Sequence, residues 1–104
     1  MYTAREMIED LYRVIQDRKD NPVEDSYTCR LFRKGKVEIL KKVGEEAVEV
    51  LLAASAEGKD RLIHELADLH YHLLVLMVQE GLTVGSLYDE LLKRAGKPGV
   101  EQIE

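Results

Sequence analysis

The chain has a single cysteine, Cys29, so it can form neither an internal disulfide nor a cysteine-rich zinc site. Its longest unbroken apolar run, Leu73 to Val78, is six residues, far short of the roughly 20 that a membrane-spanning helix needs. The N-terminus lacks the apolar core of a secretion signal. Basic charge is also scarce: 15 Lys and Arg against 20 Asp and Glu leave a net charge of -5, with no basic tail to attract nucleic acid. No stretch alternates as a strand, no segment repeats, and there is no glycine-rich phosphate loop of the Walker type. These absences argue for a cytoplasmic protein that needs neither a membrane nor nucleic acid.

What remains is a helical pattern in a chain of 104 residues, enough for one domain with its own core and too short for two. Thr3 and Glu6 stand at capping-box spacing ahead of Met7, Ile8, Leu11, Tyr12, Val14 and Ile15, which predicts a first helix ending near Arg18 or Lys19, before Asn21-Pro22. Ser26 can cap a short second helix that Gly35 ends. From Lys36 to about Glu57, Ile39, Leu40, Val43, Ala47, Val50, Leu51 and Ala54 form one broad apolar face. Gly44 on that side could admit another backbone. Gly58 is the expected stop and Asp60 the next cap, so a helix from Arg61 to about Glu80 should return antiparallel to its predecessor. Gly81 ends it, and Thr83 caps a last helix running to Arg94. The expected fold is therefore all-α, a bundle around a central antiparallel hairpin (36–57 and 61–80), with residues 1–95 as the domain and 96–104 as a loosely held tail. Six consecutive apolar residues cover every side of a helix, so the run 73–78 is expected to form a subunit interface, a homodimer or higher homo-oligomer pairing through helices.

The hairpin carries five acids in a pattern. Glu45, Glu46 and Glu49 fall within an arc of about 100° on one helix, and Glu65 and Asp68 are neighbours at i,i+3 on the next. Acids on an outward helix face are ordinarily just solvated, and Lys42 with Glu46 is an ordinary i,i+4 pair. If Glu46, Glu49, Glu65 and Asp68 face one another, however, like charges about 5 Å apart repel by roughly 3 kcal/mol per pair at an effective dielectric near 20. A hard divalent cation reverses that sign. All-oxygen donors favour Mg²⁺ or Mn²⁺, and the usual di-iron bundle is excluded because no glutamate has a histidine three residues later.

Around the acids, Arg30, Lys34, Lys36, Lys41 and Lys42 are either a solvated basic face or neutralise a polyphosphate held at its other end by the metal; Lys42 lies on the acidic side of its own helix. His72 can bond Asp68 at i,i+4, orient a water or touch a phosphate. His70 is expected in the core or an interface, His64 in solvent, Cys29 buried, and Tyr27, Tyr71 and Tyr88 packed by their rings with hydroxyls outward.

Ser26-Tyr27-Thr28, Lys34-Gly35, Lys42-Val43-Gly44-Glu45-Glu46-Ala47 followed by Glu49, and Glu65 with Ala67-Asp68-Leu69 and Tyr71-His72 together resemble the phosphoribosyl-ATP pyrophosphatase family. That family belongs to the MazG-like all-α nucleotide pyrophosphohydrolases. The resemblance implies Mg²⁺-dependent hydrolysis of phosphoribosyl-ATP to phosphoribosyl-AMP and pyrophosphate, the second step of histidine biosynthesis, in an oligomer. Carried over by motif, Glu46, Glu49, Glu65 and Asp68 are the metal ligands, and Glu49 or Glu45 activates water. From charge and position rather than motif, Lys42, with Lys34 or Arg30, is expected to meet the phosphates, and Ser26 and His72 to stand beside ligands or substrate. Some members are fused to a cyclohydrolase, for which this chain is too short. His70 departs from an apolar residue and Cys29 from a small one; neither touches the acids. Two rivals stay open: the same chemistry on another nucleoside triphosphate, and a noncatalytic helical dimer that binds a partner.

Overall fold

Thr3 accepts the Glu6 backbone N–H while the Glu6 carboxylate accepts the Thr3 N–H, and this reciprocal pair begins α1 (Ala4–Asp20). The structure is a computed structural model that describes residues 1–96; of the tail expected to be loose, residues 97–104 lie outside the described ones. α1 turns Ile8, Leu11, Tyr12 and Ile15 inward, whereas Met7 and Val14 stay exposed at the edge of that face. Ser26 then caps α2 (Tyr27–Lys34) by accepting the Cys29 N–H. Gly35 ends α2 by donating to Leu31 O and starts α3 (Lys36–Leu52) by accepting from Ile39 N. Its φ of +96° is one that a residue with a β-carbon resists, which is how two helices can meet with one residue between them.

At Ala53–Glu57 the chain widens into a π-helical stretch, where α-helix was expected. Side-chain periodicity carries no signal for the difference, because Ala53, Ala54, Ser55 and Ala56 are small and only Ala53 is buried. Gly58, at φ +89°, reverses the chain, and α4 (Lys59–Gln79) returns packed along α3. Asp60, the expected cap, lies inside the first turn, where its charge complements the positive end of the helix. Thr83 caps α5 (Val84–Ala95) by accepting the Ser86 N–H. The described residues form helices and no strands.

The core gathers Ile15 of α1, Leu31 of α2, Ile39 of α3, Leu74, Val75 and Val78 of α4, and Val84 of α5. The run 73–78, expected at a subunit interface, is thus the chain's own core: three members are buried, and Leu76 and Met77 are half-buried against it. The bare apolar surface is elsewhere. Val48, Leu51, Leu52 and Ile63 are all about half exposed or more, near the closed end of the hairpin, where α3 and α4 cover only each other; Val37 and Leu40 are exposed near the start of α3. His70 is exposed rather than in the core, its Nδ1 2.7 Å from Leu66 O. Gly44 is exposed, and among the described residues nothing beyond its neighbours and its own helix's backbone lies within 4 Å of a β-carbon built there.

Among the described residues, nothing beyond its two chain neighbours lies within 4 Å of a β-carbon built at Gly58, so any penalty there comes from φ. Gly58→Ala should therefore lower the urea unfolding free energy by roughly 1–3 kcal/mol. An unchanged midpoint would mean that the reversal between α3 and α4 does not depend on glycine.

Candidate active site

α3 offers its acids to an open cleft of about 460 Å³ lined by Glu45, Glu46, Val48 and Glu49. Lys42, one turn earlier, places Nζ 3.3 Å from Glu45 Oε1 and 3.9 Å from Glu46 Oε2. Burial works against the Lys42 ammonium, but Tyr27, Glu45 and Glu46 outweigh it and hold its pKa above the ordinary lysine value. Lys42 therefore stays charged at neutral pH.

On α4, Glu65 is only 3% exposed, and its carboxylate is held 2.6 Å from Nη2 of Arg61, itself half in solvent. Asp68 takes His64 Nε2 at 3.4 Å. One ligand atom from each of His64, Glu65 and Asp68 lies within 4.8 Å of the others, the one such grouping of three among the described residues. Glu46 and Glu49 stand outside it. The acids are thus brought together as two groups, one per helix, each with a cation of its own: Lys42 on α3 and Arg61 on α4. Bare carboxylates on facing helices would repel, and these internal cations are the alternative to a metal that the fold supplies. The donors fit a divalent ion: Glu65, Asp68, Glu46 and Glu49 offer hard oxygens, and His64 one nitrogen.

The remaining candidates sit on α2 and α4. Ser26 spends its hydroxyl on the helix cap. Arg30 donates to Asp25 O at 3.3 Å and places its guanidinium 5.8 Å from the centre of the Tyr27 ring. Lys34 is exposed at the end of α2. His72 is 6% exposed, and both its ring nitrogens are engaged, but not by the Asp68 carboxylate. Nδ1 lies 2.7 Å from the Asp68 backbone carbonyl and must donate to it, since a carbonyl only accepts. In the neutral ring Nε2 is then an acceptor, and the Tyr27 hydroxyl donates to it at 2.7 Å. Burial, chiefly, pushes the Tyr27 phenol above its usual pKa, so it remains a donor at neutral pH. Beside this bond, the Thr28 and Tyr71 hydroxyls are hydrogen-bonded to each other. Tyr27 and Tyr71 thus turn inward the hydroxyls expected at the surface. Cys29 is buried as expected, with Sγ 3.2 Å from Arg18 O.

Sequence reasoning missed Arg61 as the partner of Glu65 and His64 as that of Asp68, although i,i+4 spacing signals both. The Tyr27–His72 bond joins residues 45 apart, and no local pattern reveals it.

The sequence model of the phosphoribosyl-ATP pyrophosphohydrolase family matches residues 8–95, a span that holds every one of these side chains. The chain belongs to that family. It is 54% identical over 89 residues to the phosphoribosyl-ATP pyrophosphatase of Limosilactobacillus fermentum, covering 86% of this chain and 84% of that protein. It is 50% identical over 91 residues to the phosphoribosyl-ATP pyrophosphatase of Clostridium botulinum (strain Kyoto / Type A2), covering 88% and 83%. A histidine biosynthesis bifunctional protein of Caldanaerobacter subterraneus is 50% identical over 92 residues, but the match spans only 45% of that longer protein. The family resemblance read from the acidic, Ser-Tyr-Thr and Tyr-His motifs therefore holds over most of the chain.

Removing Arg61 would leave the buried Glu65 carboxylate without its counterion. Arg61→Ala should lower the stability of the metal-free protein by roughly 1–3 kcal/mol. Mg²⁺ should then raise its thermal midpoint more than it raises that of the wild type, because the ion takes over the neutralisation. Equal Mg²⁺ shifts in the two proteins would separate Glu65 from the metal.

Proposed function

We propose that this protein hydrolyses phosphoribosyl-ATP to phosphoribosyl-AMP and pyrophosphate, the second step of histidine biosynthesis, in the cytoplasm. The observation that carries the reading is the conjunction of family membership with a nine-tenths-buried Glu65 beside Asp68, on a helix packed against the one that bears Glu45, Glu46 and Glu49. Glu46, Glu49, Glu65 and Asp68 would hold Mg²⁺, or Mn²⁺ in its place. When bound, such an ion draws charge from the triphosphate and raises the electrophilicity of its phosphorus.

The chain's own residues do the rest. Glu45 or Glu49 orients a water and takes its proton as the water oxygen bonds to the α-phosphorus. The bond from that phosphorus to the bridging oxygen of the β-phosphate breaks in line, and the electron pair leaves with pyrophosphate. Lys42, kept charged by its acidic neighbours, offsets the charge that gathers on the leaving group, and Lys34 and Arg30 add positive charge from α2. No covalent enzyme intermediate is needed.

A second copy of the chain would cover the bare apolar residues of the hairpin, Val48, Leu51, Leu52 and Ile63. Homodimerisation through this face would keep the cleft-lining acids beside a shielded surface. Leu51→Arg should then shift the molar mass measured by light scattering towards one chain; an unchanged mass would place the interface elsewhere.

Purified protein with Mg²⁺ should release pyrophosphate from phosphoribosyl-ATP and leave a panel of ordinary nucleoside triphosphates largely intact. Glu49→Gln should cut that rate roughly 100-fold or more with helicity by circular dichroism unchanged. Preference for an ordinary nucleotide would overturn the substrate, and a fully active Glu49→Gln protein the carboxylate's role.

A further inference from the structure

Two short motifs on different helices interlock side chain by side chain. Tyr27 bonds His72, and Thr28 bonds Tyr71, so neighbours on α2 meet neighbours on α4 in reversed order. The rings pack as well: His72 stands edge-on to both tyrosines, with centroids 5.7 Å from Tyr27 and 5.8 Å from Tyr71. Thr28 and His72 are buried, and no buried side-chain nitrogen or oxygen among the described residues lacks a hydrogen-bond partner. Tyr27 also lies in the field of Lys42, Glu46 and Glu38 of α3, the helix against which α2 packs.

The register of α2 gives this contact a direction. At about 100° per residue, Lys34 stands nearly over Tyr27, and Arg30 falls about 60° to one side. Tyr27, Arg30 and Lys34 therefore form one stripe, beside the buried face of Thr28, Leu31 and Phe32. Fixing Tyr27 against α4 fixes the rotation of α2 about its own axis, and with it the aim of both cations. The other flank of this eight-residue helix is already held, by Leu31 in the core and by Cys29 Sγ against Arg18 O, so the Tyr27–His72 bond sets the angle on the side that carries the cations.

We infer that the Tyr27–His72 hydrogen bond is a positioning device that aims the α2 cations, Arg30 and Lys34, at the polyphosphate end of the ligand while leaving the metal-binding hairpin untouched. The Asp68 carbonyl can only accept, so His72 Nδ1 donates to it and leaves Nε2 facing the Tyr27 hydroxyl. The inference rests on the reading of this site as one for a metal-bound phosphate chain, and its test uses inorganic tripolyphosphate, which carries the phosphates without adenine or ribose.

Calorimetric titrations of Mg²⁺ alone, and of tripolyphosphate at saturating Mg²⁺, separate the two halves of the site. Tyr27→Phe keeps the ring and removes only the hydroxyl; it should weaken tripolyphosphate binding roughly tenfold, with Mg²⁺ affinity within about twofold of the wild type. His72→Leu should do the same, and the double variant should bind no worse than either single one. His72→Gln, whose amide oxygen can still accept from Tyr27, should bind nearly as well as the wild type. If Tyr27→Phe does not fold, His72→Leu against His72→Gln carries the comparison. Tripolyphosphate binding unaffected in Tyr27→Phe or His72→Leu, additive losses in the double variant, or an equal fall in Mg²⁺ affinity would overturn the inference. Wild-type protein that shows this binding pattern but leaves phosphoribosyl-ATP intact would refute the substrate and not the positioning role.

Discussion

The second half of α4 is the surface on which everything else is assembled. Leu74, Val75 and Val78 are buried together, and Ile15, Leu31, Ile39 and Val84 reach them from the four other helices. Burying side chains of this size stabilises by roughly 1.5–3 kcal/mol each, whereas the exposed ion pairs of the molecule contribute about 0–1 kcal/mol each. The apolar contacts therefore decide the fold, and the charges adapt to it. One consequence is a division along the hairpin: its open end is wrapped by α1, α2 and α5, and its closed end stands out as a two-helix arm. The acids are carried between these two regions.

That position governs their electrostatics. Acids buried in the wrapped half would lose too much solvation, and acids on the far side of the arm would be plain solvated charges. Glu65 takes the intermediate course: its carboxylate leaves water, but an arginine that is still half in water goes with it. Lys42 does the same for Glu45 and Glu46 under weaker burial. Two carboxylate groups on facing helices, each tethered to one cation, form an arrangement that a divalent ion can enter by displacing side chains rather than by drawing separate chains together.

Much of this was legible from periodicity and caps. Thr3, Ser26 and Thr83 cap the helices as their spacing predicts, Gly35 and Gly58 adopt the positive φ that ends one helix and starts the next, and the acids fall on the hairpin as read. Two of the differences share a physical origin, since helix periodicity records which face is apolar but not what covers it. It sent the run 73–78 to a subunit interface although helices of the same chain close over its buried members, and it pointed to the core or an interface for His70, whose ring does not join the core. Hydroxyl direction is lost in the same way. The rings of Tyr27 and Tyr71 pack as expected, but only the approach of α2 to α4 determines that their oxygens turn inward.

The same distinction explains why the family motifs read as separate words in the sequence and as one object in the fold. Ser26-Tyr27-Thr28 and Tyr71-His72 contain no metal-type acids, and nothing about their spacing assigns them chemistry. Once α2 lies across α4, the serine caps the helix that the tyrosine and threonine attach, and histidine receives it one turn from Asp68. A polar lock in a half-buried seam is a poor source of net stability, because each group gives up water to gain its partner. What it provides is orientation: apolar contacts such as Leu31 in the core tolerate small rotations of a helix, whereas a 2.7 Å hydrogen bond to an imidazole with its other nitrogen already committed does not. In a site whose ligand is a chain of negative charges, the angle at which cations are presented matters as much as their number.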